Sequence, residues 1–138
     1  MSMMEMLIWL LLILCSIYAA LAGGTAGRIG AGLIVAATVA TWLVQGSERW
    51  AQTNIPVMFV DIALMAAFYA LALKSNVYWP IWAAGFHLIT ITGHAATFII
   101  PDFRSSLYYY FNGMWALFVQ MSMVWGITLD RNARRQAG

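Results

Sequence analysis

Residues 29–45 read IGAGLIVAATVATWLVQ. Whether this Ala- and Gly-rich run crosses a bilayer decides between a four-span and a five-span protein. It sits near the short end of what crosses a bilayer, about 17 residues. On either side of it lie four further apolar runs, at about 6–22, 57–73, 81–100 and 107–129. The breaks between the five runs read GGTAGR, GSERWAQTNIP, KSNVYWP and PDFRSS. Pro56, Pro80 and Pro101 all fall at run ends, where a missing backbone N–H costs least.

Charge tests the doubtful run. With five spans, Arg28, Lys74, Arg131, Arg134 and Arg135 fall on one side, and Arg49 and Arg104 fall on the other with Glu5, Glu48 and Asp102. That is five basic residues against two, and removing the span at 29–45 changes the split to four against three. Basic residues concentrate on the cytoplasmic side of membrane proteins, so five spans thread more cleanly. The reading is an all-α, polytopic transmembrane helix bundle of five spans, with four as the alternative. It places the N-terminus outside and the basic tail DRNARRQAG, residues 130–138, in the cytoplasm.

Composition agrees with a lipid-solvated chain. Of 138 residues, 63% are hydrophobic and 9% charged, and the mean hydropathy is +0.79. A soluble domain is about a quarter charged, so there is too little polar material here to cover a globule in water. Seven Trp, six Tyr and seven Phe suit aromatic belts at the two interfaces. The net charge of +2 rests on seven basic residues, three of them in the tail, which offers no surface for nucleic acid. Cys15 has no partner for an internal disulfide and reads as a small apolar helix residue. Ala20-Leu21-Ala22 imitates a signal cleavage site, but the preceding stretch carries Glu5 and no Lys or Arg, unlike a secretory leader. The first run therefore reads as an uncleaved span, and residues 1–138 as a single transmembrane domain with no repeat.

Small residues mark packing surfaces. Gly32, Ala36 and Ala40 recur every four residues and share one stripe, where helix backbones can approach closely. Such a stripe serves packing within one bundle or a homo-oligomer interface. Trp79 and Trp82 open the fourth run and Tyr108, Tyr109 and Tyr110 open the fifth, the positions of interface anchors. The nine Met residues read as gap-fillers in the core.

The polar residues inside the runs are few. Gly85–His94, GFHLITITGH, holds both histidines of the chain, His87 and His94. Seven residues make nearly two helical turns, so the two share a face about 10 Å apart along the axis. Zinc–nitrogen bonds are about 2 Å long, and one ion cannot bridge that gap on a straight helix. No metal site and no cofactor are expected, with a haem or pigment on His87 or His94 as the open exception. By depth, Asp61, His94 and Asn112 fall in one layer on three different helices, and His87 and Gln120 form a second layer nearer the cytoplasm. An ionisable group in a span faces the bundle interior and finds a partner. Asp61 and His94 then form either a structural hydrogen bond that sets helix register or a titrating pair in proton or ion movement. A Ser–His–Asp triad lacks a serine at that depth, since Ser105 and Ser106 lie at the surface and Ser122 lies too deep. No Gly-rich phosphate loop, paired-Cys motif or HExxH occurs, and no enzymatic activity is expected.

The stretch DIALMAAFYALALKSNVYWPIWAAGFHLITITGH, from Asp61 to His94, resembles a group of short, uncharacterised inner-membrane proteins of proteobacteria. Asp61, Ala63, Leu64, the Leu71–Ser75 run, Trp79-Pro80, Trp82-Ala83-Ala84-Gly85-Phe86 and His94 carry the resemblance, about a quarter of the chain. It implies a bacterial inner membrane and brings no activity with it. The expectation is a non-catalytic accessory, scaffolding or assembly subunit of a membrane complex, partnered by lipid and by a larger complex or copies of itself. The alternative is a small proton-coupled or ion-conducting transporter using Asp61 and His94, followed by a holin-like permeabilising protein and a haem- or pigment-binding one.

Overall fold

Apolar runs free of internal proline form helices wherever caps and breaks allow. The computed structural model describes residues 3–45, 54–100 and 105–137, with the side chains of 4, 5 and 105–109 left undescribed. It holds five helices, α1 Met3–Ala22, α2 Gly24–Val44, α3 Ile55–Lys74, α4 Trp79–Ile99 and α5 Ser105–Gln136, and no strand among the described residues. The run at 29–45 is helical along its length except for its last residue, Gln45, which caps α2.

The chain's breaks explain the helix ends. Asn54 caps α3, its Oδ1 accepting from the Val57 N–H at 3.2 Å, and Pro56 occupies the first turn, where no N–H is missed. Pro80 does the same for α4, and Ser75, extended at its backbone, stops α3 just after Lys74. The GGTAGR break is shorter than its composition suggests: residues 24–28 belong to the first turns of α2, leaving Gly23 alone between the helices. That turn works because Gly24 takes a left-handed φ of 60°, which a side chain disfavours. Gly27 then lets α2 run against the carbonyl of Ala19, where a Cβ would clash. At the other end of the chain, α5 continues through Gln136, so most of the basic tail is helical rather than loose.

Each helix packs on its neighbour in chain order, and α5 returns to α1 to close a ring. The enclosed core is built from Phe68, Met123, Ile127, Ala83, Val119, Leu64 and Ile34. Tyr18 and Thr128 share a hydroxyl hydrogen bond of 2.8 Å that ties α1 to α5, and Arg28 Nε donates to the Ala20 carbonyl at 3.4 Å across the α1–α2 turn. Arg28, Lys74, Arg131, Arg134 and Arg135 accordingly collect at one end of the bundle, hereafter the basic end.

Large apolar side chains also face outward on every helix, among them Leu10 and Leu14, Trp42 and Leu43, Phe59 and Leu73, Leu88 and Phe98, and Met121 and Trp125. Two helices among the described residues, α2 and α3, are long and apolar enough to cross a membrane, and the fully described part of α1, Met6–Ala22, is a shorter apolar stretch. This is fewer than the five spans expected from the runs. In α4 and α5 the reason is compositional: His87, Thr90, Thr92, His94 and Thr97 dilute α4, and Asn112, Gln120 and the weakly hydrophobic Trp115 and Trp125 dilute α5.

Candidate functional site

Three helices meet around one carboxylate. Asp61 lies in the second turn of α3, His94 toward the end of α4, and Asn112 in the second turn of α5, so antiparallel packing brings them to one level, away from the basic end. Asp61 Oδ2 and His94 Nε2 are 2.8 Å apart, a charge-assisted hydrogen-bond length. Asn112 Nδ2 lies 3.5 Å from the same ring nitrogen. Carboxylate and amide therefore compete for it: Nε2–H donates to Asp61 in one tautomer, and bare Nε2 accepts from Asn112 in the other. His94 is fully buried, whereas the Asp61 side chain keeps 16% of its surface exposed, so the pair opens to the outside on the aspartate's flank.

His87 completes the arrangement in a way its spacing does not suggest. Its Nδ1 lies 3.7 Å from Asp61 Oδ1, ion-pairing distance for a protonated ring but too long for a hydrogen bond. The two histidines stand about 10 Å apart along α4, yet one carboxylate faces both, one oxygen to each. Phe68 of α3 stacks on the His87 ring, with centroids 5.9 Å apart at 17°, and holds it in this orientation. Among the described residues His87 Nδ1 has no hydrogen-bond partner, and neither do the buried Asn112 Oδ1 and Gln120 Oε1.

The second layer does not form as a hydrogen-bonded pair. Among the described residues no hydrogen bond joins His87 to Gln120, because the stacked ring is turned toward Asp61 instead. Gln120 is nevertheless buried on α5, next in sequence to the core residue Val119. No group of three or more His, Cys, Asp or Glu side chains among the described residues has the geometry to hold a metal ion.

One further expectation needs correction. Trp79 is no interface anchor: it is 2% exposed and fills the space between α2 and α5. A Cβ on Gly30 would meet the far rim of its indole, and one on Gly126 would meet its Cβ, so two missing side chains make the notch. Phe68 closes that notch edge-on, at 5.9 Å and 74°. Trp82 does face outward, at 64% exposure, as does Tyr110, while the side chains of Tyr108 and Tyr109 lie outside the described residues. Of the two uses open to the stripe Gly32, Ala36 and Ala40, packing inside the chain is not taken up by its first two members among the described residues, while Ala40 is half-buried. Gly32 and Ala36 are exposed, with no described residue within 4 Å of a Cβ placed on Gly32, and the buried residues of α2 are Gly27, Gly30, Ala31 and Ile34 instead.

Gly93 shows how tightly the site is closed. A Cβ there would come within 2.8 Å of Asn112 Oδ1 and 3.0 Å of the Phe111 ring. Sequence depth alone brings Asp61, His94 and Asn112 to one level. The role of Gly93 is visible only once α5 is packed against it.

Comparison of the chain with protein families, with characterised proteins and with solved structures finds no match.

Proposed function

We propose that this chain is a multi-pass protein of a bacterial inner membrane, all five helices solvated by lipid, acting as an accessory or assembly subunit of a membrane complex. The observation that carries the reading is its inverted distribution of polarity. Leucine, phenylalanine and tryptophan face outward on all sides, while the histidines, Asn112 and Gln120 are enclosed. Water as solvent would select the opposite arrangement. The cluster of Arg28, Lys74, Arg131, Arg134 and Arg135 at one end supports placing that end in the cytoplasm. In this setting the Asp61–His94 bond sets the register of α3 against α4.

The subunit role is supported by the outer face of α2. Gly32 exposes bare backbone there and Ala36 only a methyl group, and in lipid such a face gains contact energy by receiving the helix of another membrane chain. Blue-native electrophoresis of membranes gently solubilised from the native host tests this. A complex larger than the monomer that collapses on Gly32→Leu supports the role, and a lone monomer overturns it.

One specific observation favours a second reading, proton or ion movement. Both oxygens of Asp61 face imidazole nitrogens, one on each histidine, and the His87 nitrogen has no hydrogen-bond partner among the described residues, which sets three proton-carrying groups side by side within the bundle. Flux measured in proteoliposomes, abolished by Asp61→Asn and by His94→Ala, supports this reading. Flux indifferent to both substitutions removes it.

A further inference from the structure

Away from the polar cluster, at the basic end, a groove of about 490 Å³ opens between α2 and α3. Its walls are apolar: Ile29 and Leu33 on one side, and Ala67, Ala70 and Leu71 on the other. Small alanines on α3 make the depression, since larger side chains at those positions would fill it. The mouth differs in character. Lys74, the last residue of α3, and Ser75 stand there opposite Thr25. Among the described residues Lys74, which is exposed, makes no ion pair, and the buried Ser75 hydroxyl has no hydrogen-bond partner. Arg28 is exposed one turn along α2 from Thr25.

A greasy channel that ends in an unpaired ammonium and an unsatisfied hydroxyl is complementary to an amphiphile with an anionic head. We infer that this groove binds one anionic phospholipid of the leaflet at the basic end, an acyl chain lying along Ile29, Leu33 and Ala70 with the phosphate on Lys74 and Ser75. Basic pockets between membrane helices on the cytoplasmic side recognise anionic head groups in this way. Apolar burial of the chain supplies affinity for any lipid, and the lysine supplies the preference for an anionic one. The inference rests on the membrane reading above.

The test is native mass spectrometry of the full chain released from micelles containing equal phosphatidylglycerol and phosphatidylcholine. The wild type is expected to retain one phosphatidylglycerol in preference to phosphatidylcholine. Lys74→Gln should reduce that preference about fivefold, the worth of one basic side chain near an anionic surface, while keeping residual lipid of either kind. Ala70→Phe should lower retention of both lipids by filling the groove. Equal retention of the two lipids by the wild type, or a preference unchanged by Lys74→Gln, overturns the inference, as does unchanged retention in Ala70→Phe with native helical content by circular dichroism. Alkaline carbonate extraction separates the two levels of failure. A chain washed from membranes refutes the membrane reading itself, whereas a chain that stays integral but shows no lipid preference refutes the groove alone.

Discussion

A methyl group added at Gly126 would land on the Cβ of Trp79, and one added at Gly30 on the far rim of the same indole. The two substitutions therefore probe one side chain at its root and at its tip. Alanine in place of glycine within a helix gains about 1 kcal/mol of intrinsic propensity, and overpacking a filled interior costs about 1–3 kcal/mol. At Gly126 the obstructing atom is fixed to the backbone of α4, so a helix must shift and the cost falls at the top of that range. Gly126→Ala should then destabilise by about 2 kcal/mol net. At Gly30 the rim can yield slightly by ring rotation against Phe68, and the net loss should be about 1 kcal/mol. Trp79→Ala alone opens a cavity costing about 3–5 kcal/mol. On that background the signs separate. Gly30→Ala meets vacated space and becomes stabilising by about 1 kcal/mol, while Gly126→Ala still meets a Cβ at position 79 and stays destabilising. Reversible unfolding of the purified protein by SDS titration in mixed micelles, followed by circular dichroism, measures all five variants. If both glycine substitutions are neutral in the wild type, or if Trp79→Ala relieves both equally, the indole does not occupy this notch and the proposed packing of α2, α4 and α5 is wrong.

Three further outcomes follow from the geometry. His94→Ala leaves the Asp61 carboxylate facing a void and should destabilise by about 3 kcal/mol, whereas Asp61→Asn keeps an acceptor for the His94 ring and should cost under about 1 kcal/mol in the same titration. Gly93→Ala pushes on Asn112 Oδ1 and the Phe111 ring and should destabilise by about 1–3 kcal/mol, with most of the loss recovered on an Asn112→Ala background. Tyr18→Phe removes the hydroxyl bond to Thr128 and should cost only about 0.6 kcal/mol, a small effect because both groups find other partners on opening.

The helix layout is legible because proline, glycine and asparagine punctuate the apolar runs: Asn54-Ile55-Pro56 opens α3, and Pro80 sits in the first turn of α4. The same periodicity brings Asp61, His94 and Asn112 to one depth. It misleads at His87, since axial separation counts turns along one helix and ignores the span of a carboxylate on the next, whose two oxygens reach both rings. It misleads again at Trp79. A tryptophan at the start of an apolar run has the position of an interface anchor, and only the absence of side chains at Gly30 and Gly126, remote in sequence, turns it inward. The Gly32 stripe shows the converse limit. Small-residue spacing marks a surface suited to close approach, but the apolar pattern is nearly uniform around α2, so it does not say which side faces the chain's own core.

Which compartments hold the two ends of the chain tests the membrane account most directly. Alkaline phosphatase and a fluorescent protein fused in turn to each terminus report on the outer and cytoplasmic sides, respectively. Five crossings with the basic end inside predict phosphatase activity only at the N-terminus and fluorescence only at the C-terminus. Both termini reporting from the same side would contradict the five-span threading and the enclosure of Asp61, His87 and His94 within lipid that depends on it.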